Sequence, residues 1–106
     1  MARITRGTTN LFADLGFPDA EERRTKLHLA YAINTILVER AVKQTEAAKL
    51  LGCGQPKVSA LLNYKLDGFS VERLMGFLTA LDRDVEIVVR KKPRSKRKAR
   101  ISVVAA

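Results

Sequence analysis

Two short helical segments separated by a glycine constrain this chain more than any other feature of its sequence. The segments lie in QTEAAKLLGCGQPKVSALL, residues 44–62. Ala48 is small enough to let the first helix pass closely over the second. Gly52 ends the first helix in a backbone conformation that costs other residues more, while Val58 and Leu61 fill the wedge between the helices. This spacing predicts a helix-turn-helix.

The predicted helices cover about 44–51 and 55–63, and Gly52, Cys53 and Gly54 join them. Gln55, Lys57 and Ser59 fall on the outer face of the second helix. A polar outer face on the second helix of such a pair is typical of proteins that read double-stranded DNA in the major groove.

Length and composition favour one compact domain of a reduced, cytoplasmic protein. The chain has 106 residues, which allows a modest core and little room for a second domain. Its single cysteine excludes an internal disulfide framework. No apolar run reaches the ~18 residues that a membrane span requires, and the first ten residues lack the apolar core of a signal peptide.

Positive charge is concentrated near the C-terminus. The formal net charge is +9, and residues 90–100 carry eight of the 20 Lys and Arg and no acid. Residues 1–89 therefore hold 12 bases and 11 acids, and are nearly neutral. A like-charged run of this kind is either a solubilising end or an arm that contacts phosphates or the minor groove.

The chain divides into an N-terminal arm (1–18), a central domain (19–90) and a basic tail (91–106). Within the arm, three apolar residues are expected to cover the core, with docking of a protein partner as the alternative: Phe12, Leu15 and Phe17. Asp19 and Glu22 form a capping box for a helix over 20–41. One face of that helix is apolar: Leu29, Ala30, Ile33, Leu37 and Ala41.

A further helix follows the helix-turn-helix and closes the core. Ser70 is expected to cap it, and Phe69 packs against Leu74 as a hydrophobic staple. Apolar residues recur at helical spacing up to about Leu81: Val71, Leu74, Leu78 and Leu81.

Beyond Asp82 the apolar period changes to two. Val85, Ile87 and Val89 alternate with their neighbours, which predicts a short strand. A lone strand leaves its backbone groups unpaired, so it requires a partner. Pairing with the same strand of a second subunit is favoured over a hairpin with 101–104, because a two-fold dimer suits two DNA half-sites.

The chain resembles the Xre-type helix-turn-helix regulators, and within them the antitoxin-like branch of HigA type. The resemblance covers about residues 10–90. Besides residues 44–62 it rests on NLFADLGFPDAEE upstream and GFSVERLMGFLTALDRDVEIVV downstream. It implies a protein that represses its own operon and neutralises a cognate toxin, commonly a HigB-like ribosome-dependent messenger-RNA endonuclease.

The implied fold class is all-α. It is a lambda-repressor-like helix-turn-helix domain of four or five helices, with a long N-terminal helix and one short C-terminal β-strand. Two positions depart from the family pattern. Lys43 stands where Thr usually precedes the first reading helix, and Gly54 where Ser or Thr commonly caps the second. Both changes remove a side-chain cap without breaking the fold.

Seven residues are candidate DNA contacts. The amide of Gln55 can pair bidentately with adenine, and the Pro56 ring can contact a thymine methyl. Lys57 can reach guanine or phosphate, and Ser59 can donate to either. The remaining three are expected at phosphates: Gln44, Asn63 and Lys65. The alternative for Gln55, Lys57 and Ser59 is that they form an ordinary solvent-exposed helix face without a function.

The sequence gives little support for catalysis, a cofactor or a metal ion. His28 has no partner at ligand spacing and is read as a structural or surface histidine. Cys53 is read as a half-buried apolar group instead of a redox switch. Two alternatives to the antitoxin interpretation stay open: a stand-alone Xre-type repressor without a toxin, and a protein-interaction module that has lost base readout.

Overall fold

The computed structural model describes residues 19–92, 94 and 100–105, and the regular secondary structure in this part is helical. The described helices are α1 (Asp19–Glu39), α2 (Gln44–Leu51), α3 (Gln55–Leu62) and α4 (Val71–Ala80). α1 packs against α4 and α3, while α2 packs against α3 and α4. None of these helices is long and apolar enough to cross a membrane. The all-helical class and the pair of reading helices agree with the sequence prediction.

The core lies between α1, α3 and α4. Val58 and Leu61 of α3 are fully buried there. Four of the five apolar residues predicted on the inner face of α1 are buried, namely Leu29, Ala30, Ile33 and Leu37, and Ile36 joins them. The predicted arm residues and the Asp19 side chain of the capping box lie outside the described part of the chain.

Each of the four described helices ends in the same capping turn. After α1, the N–H of Val42 donates to the Leu37 carbonyl at 3.0 Å, and Ala41 between them has a φ of 53°. The other three turns repeat this bond over five residues around a left-handed residue: Gly52 (φ 69°), Tyr64 (57°) and Asp82 (63°). This is the Schellman motif, whose left-handed position favours glycine.

These turns explain why three predicted helix ends are too late. The sequence placed Ala41, Asn63 and Leu81 inside helices, whereas the helices end at Glu39, Leu62 and Ala80. The spacing of apolar residues does not show where a helix ends in a left-handed turn. Only Gly52 among the four left-handed residues is of the type that signals such a turn.

The predicted C-terminal strand is wrong for the described chain. Residues 83–92 and 100–105 form no regular secondary structure. Val85, Val88 and Val89 are exposed, while Ile101 and Val103 pack against the helical core. Alternating apolar residues form a strand only where a second strand completes the hydrogen-bonded ladder, and the described single chain supplies none. The alternative hairpin with 101–104 is not formed either.

Ala48, the small residue predicted at the helix crossing, is partly buried and packs against the core, and its neighbour Ala47 is buried. The Ala48 carbonyl also accepts the N–H groups of both Gly52 and Cys53 in the turn. Cys53 is half-buried and packs against the core, as predicted.

The cap of α4 is confirmed. The Ser70 hydroxyl oxygen accepts the N–H of Arg73 at 3.0 Å. Phe69 and Leu74, the expected staple, are both buried. Phe69 also meets Phe77 edge to face, with ring centroids 6.0 Å apart. This contact fixes the end of the loop that connects α3 to α4.

Reciprocal substitutions test the capping turns. A Cβ added at Gly52 meets no atom within 4 Å, so Gly52→Ala introduces backbone strain alone. We expect it to lower the free energy of unfolding by about 1 kcal/mol, and Ala41→Gly to raise it by up to about 1 kcal/mol. Urea unfolding with a common m-value measures both changes. Destabilisation of similar size by both variants would contradict the assignment of Ala41 as a left-handed cap.

Candidate nucleic-acid interface

The outer face of α3 is polar and open to solvent. Gln55, Pro56 and Lys57 are exposed in its first turn, and Ser59 is half-buried one turn later. Gly54 caps the helix without a side-chain hydrogen bond. Pro56 removes no helical hydrogen bond in the first turn, where N–H groups lack partners within the helix. The four predicted contacts of α3 are therefore exposed or half-buried, while the inner face of the helix, formed by Val58 and Leu61, is buried.

α2 begins beside an apolar groove. Gln44 is its first residue and is exposed, and Lys43 before it makes no side-chain cap. The groove has a volume of about 200 Å³. Its walls come from the end of α1, from α2 and from α3: Leu37, Val38, Ala41, Val42, Gln44, Ala47 and Leu62. Gln44 thus lines this groove at the start of α2.

The loop after α3 is fastened back onto that helix. Asn63 donates from Nδ2 to the Ser59 carbonyl at 2.8 Å, and the N–H of Lys65 donates to the Ala60 carbonyl at 2.8 Å. Tyr64 between them has the left-handed backbone described above. Asn63 and Lys65 are both exposed. The structure therefore holds the backbone that carries these two predicted phosphate contacts in a defined position.

The ammonium of Lys57 contacts the loop that precedes α4. Its Nζ donates to the Gly68 carbonyl at 2.9 Å, across a separation of eleven residues. The same atom lies 4.8 Å from the centroid of the Phe69 ring. The sequence pattern pointed to guanine or phosphate as the partner of this group, whereas its partners in the structure belong to the loop before α4.

Asn34 is a positioning residue that sequence reasoning missed. It is buried on α1, and its Nδ2 donates to the Leu61 carbonyl at 3.0 Å. That carbonyl also accepts the N–H of Tyr64 at 3.1 Å. Asn34 Oδ1 is buried without a hydrogen-bond partner in the described structure. The available signal was a polar amide beside Ile33 on a helix face that is otherwise apolar.

Positive charge around the helix pair is unpaired within the described part of the chain. The ion pair found there joins Arg24 to Glu21 at 3.2 Å, within α1. Lys49 in the last turn of α2 and Lys65 after α3 are exposed. A mild positive bias is what a surface that approaches phosphates requires.

Two comparisons identify the family. Residues 11–90 match the model of a helix-turn-helix domain family. A solved structure described as an XRE-family transcriptional regulator is 68% identical to this chain, covering 84% of it and 100% of that chain, with a TM-score of 0.82. The chain belongs to the XRE-type helix-turn-helix regulators. None of the curated proteins compared with it matches.

Membership of the XRE family confirms the coarser part of the sequence interpretation. The chain is a helix-turn-helix transcriptional regulator, and this class implies regulation through DNA binding. The family consists of regulators and not, in general, of enzymes. The packing of α2 on α3 agrees with a helix-turn-helix.

Proposed function

We propose that the chain is a sequence-specific repressor that reads operator DNA with α3 and serves as the antitoxin of a toxin–antitoxin pair. One observation carries the DNA-reading part. The inner face of α3 is sealed by Val58 and Leu61, while Gln55 and Pro56 at its start are exposed. A short helix presented in this way has the geometry to enter the major groove with its N-terminal residues leading.

The proposed contacts divide into base readers and phosphate contacts. Gln55 reads adenine through its amide, Pro56 packs on a thymine methyl, and Ser59 donates to a base or a phosphate. Phosphates are held by Gln44, Asn63 and Lys65, which set the register without specifying sequence. Lys57 lies in the first turn of α3 and belongs to the same proposed interface.

The basic tail supplies binding that does not depend on sequence. Eight of the 20 basic residues lie in 90–100, outside the nearly neutral remainder. Lysine and arginine side chains at phosphates release counterions, which gives affinity for any duplex and a steep dependence on salt. Affinity and specificity are therefore assigned to different parts of the chain.

Substitution of Gln55 tests base readout. Gln55→Ala should weaken binding to the DNA upstream of the chain's own gene by about 5- to 150-fold, equivalent to about 1–3 kcal/mol. Binding to unrelated duplex should stay the same, because phosphate contacts remain. Gel shifts with both duplexes measure the two affinities. Thr79→Ala, an exposed change on α4, is the matched control and should alter neither.

Removal of residues 91–100 provides the contrast to Gln55→Ala. The shortened chain should lose affinity for both duplexes about equally and show a smaller salt slope, while keeping its preference for the upstream DNA. An equal loss on both duplexes in Gln55→Ala, or no specific shift with the intact chain, would contradict base readout by α3.

The antitoxin assignment is supported by the sequence resemblance to the HigA-type branch. That resemblance extends beyond the helix-turn-helix, into residues 10–22 and 68–89. It favours an antitoxin over a stand-alone repressor, because the flanking segments mark the branch and not merely the fold. The implied partner is a HigB-like toxin protein.

The antitoxin assignment predicts a toxin gene beside this one. The adjacent reading frame should encode a small basic protein that arrests growth when expressed alone. Co-expression with this chain should restore growth, and the two proteins should co-purify. Gln55→Ala should protect cells equally well, because it affects DNA readout only. Growth arrest that this chain fails to relieve would leave a stand-alone repressor.

A homodimer is the proposed DNA-binding form, and α1 offers the surface for it. Leu27, Tyr31 and Val38 are 47%, 65% and 74% exposed. Their spacings of four and seven residues place them on one helix face. Arg24, which also pairs with Glu21, lies before this apolar face and Glu39 after it, so two antiparallel copies of α1 place Arg24 of one beside Glu39 of the other. This complementarity favours a second copy as the occupant.

A charge placed on this face should separate the subunits. Tyr31→Asp puts a carboxylate in the middle of the apolar contact, where it meets the same residue of the second copy, and Tyr31 is exposed, so the monomer fold should be retained. We expect the intact chain to scatter light as a dimer at micromolar concentration and Tyr31→Asp as a monomer of unchanged thermal stability. Thr79→Asp, on α4, should stay dimeric. A monomeric intact chain would exclude this interface.

A further inference from the structure

The ammonium of Lys57 is engaged by two groups of the loop between α3 and α4. It donates to the Gly68 carbonyl at 2.9 Å and lies 4.8 Å from the centroid of the Phe69 ring. Phe69 is itself buried and packed edge to face on Phe77. The cation therefore contacts a ring that the core holds still, so this contact joins the first turn of α3 to the start of α4.

Gly68 provides the space for this contact. A Cβ at Gly68 would lie 2.8 Å from Lys57 Nζ, closer than such atoms approach. The backbone of Gly68 is not left-handed, unlike that of Gly52, so its conformation does not demand glycine. An added Cβ therefore requires the flexible end of Lys57 to move away from position 68.

We infer that Lys57 is a positioning residue: it holds the 63–69 loop against α3, and this loop carries Asn63 and Lys65 to the DNA backbone. The inference rests on the proposed DNA-binding function. At its near end the loop is fixed by the bonds from Asn63 to Ser59 and from Lys65 to Ala60. Lys57 fixes its far end, so both ends of the loop are attached to the reading helix.

Two substitutions break this contact in opposite ways. Lys57→Gln removes the charge, whereas Gly68→Ala keeps the charge and displaces it from the loop. Gly76→Ala, at a site where an added Cβ meets nothing within 4 Å, is the matched control for a glycine replacement. Titrations of each variant against upstream and unrelated duplex DNA over a salt series give affinity, specificity and salt slope.

A positioning role predicts the same result for both variants. Each should lose about two- to five-fold in affinity on both duplexes, which is the scale of an exposed cation–π contact. The double variant should lose no more affinity than the single variant that binds DNA less tightly, because both substitutions break the same contact. The salt slope of Lys57→Gln should equal that of the intact chain. Lys57→Arg should restore affinity, and Gly76→Ala should bind like the intact chain.

Three results would overturn the inference. A salt slope reduced by about one in Lys57→Gln but not in Gly68→Ala indicates a direct phosphate contact by Lys57. A loss confined to the upstream duplex indicates a base contact. Unchanged or higher affinity in Gly68→Ala shows that the loop restrains a lysine that DNA prefers free.

Hydrogen exchange separates this inference from the proposed function. In the free protein, the amides of residues 65–69 should exchange faster in Lys57→Gln and Gly68→Ala than in Gly76→Ala. Faster exchange without any specific DNA binding by the intact chain would remove the proposed function and leave the contact intact. Unchanged exchange would show that Lys57 does not hold the loop, whatever the chain binds.

Discussion

Burial of Val58 and Leu61 is the interaction on which the rest of the structure depends. Both side chains are fully buried, and full burial of such a side chain stabilises by about 1.5–3 kcal/mol. With the inner face of α3 committed to the core, Gln55 and Pro56 have only solvent to face. The amide of Asn34 adds direction, because its bond to the Leu61 carbonyl sets the end of α3 against α1. The exposed reading face is thus a consequence of packing.

Eight-residue helices such as α2 and α3 do not persist in water alone, because nucleation costs more than so few hydrogen bonds return. Tertiary packing and the capping turns therefore define them together. Three of the four left-handed caps carry a side chain, at a cost of roughly 1–2 kcal/mol each. Hydrogen bonds offset this strain, because the turns let the N–H groups of Val42 and Lys65 donate to carbonyls of the preceding helix.

Sequence reasoning succeeded where the signal was local. Gly52 and the Ser70 cap each report a geometry within three or four residues, and the predicted helices follow from them. The strand at 85–89 was wrong because alternating residues form a strand only beside a second strand, and the described chain supplies none. The contact of Lys57 with Gly68 was missed for a related reason, because eleven residues and a turn separate the two positions. Neither a lysine nor a glycine predicts the other as its partner. The family match shows the regulator class, while the DNA contacts stay predictions.

The engagement of Lys57 has a consequence for how affinity arises. With its ammonium on the loop, the first turn of α3 leaves the uncharged amide and ring groups of Gln55 and Pro56 exposed. Neutral groups of this kind discriminate between bases but attract a polyanion weakly. The partners of Lys57 are also neutral, a carbonyl and an aromatic ring, so Lys57 keeps its positive charge and can attract phosphates from a distance without binding one. Under the proposed function, sequence preference then arises from Gln55 and Pro56, while most of the sequence-independent attraction arises from residues 90–100, which carry eight of the 20 basic residues.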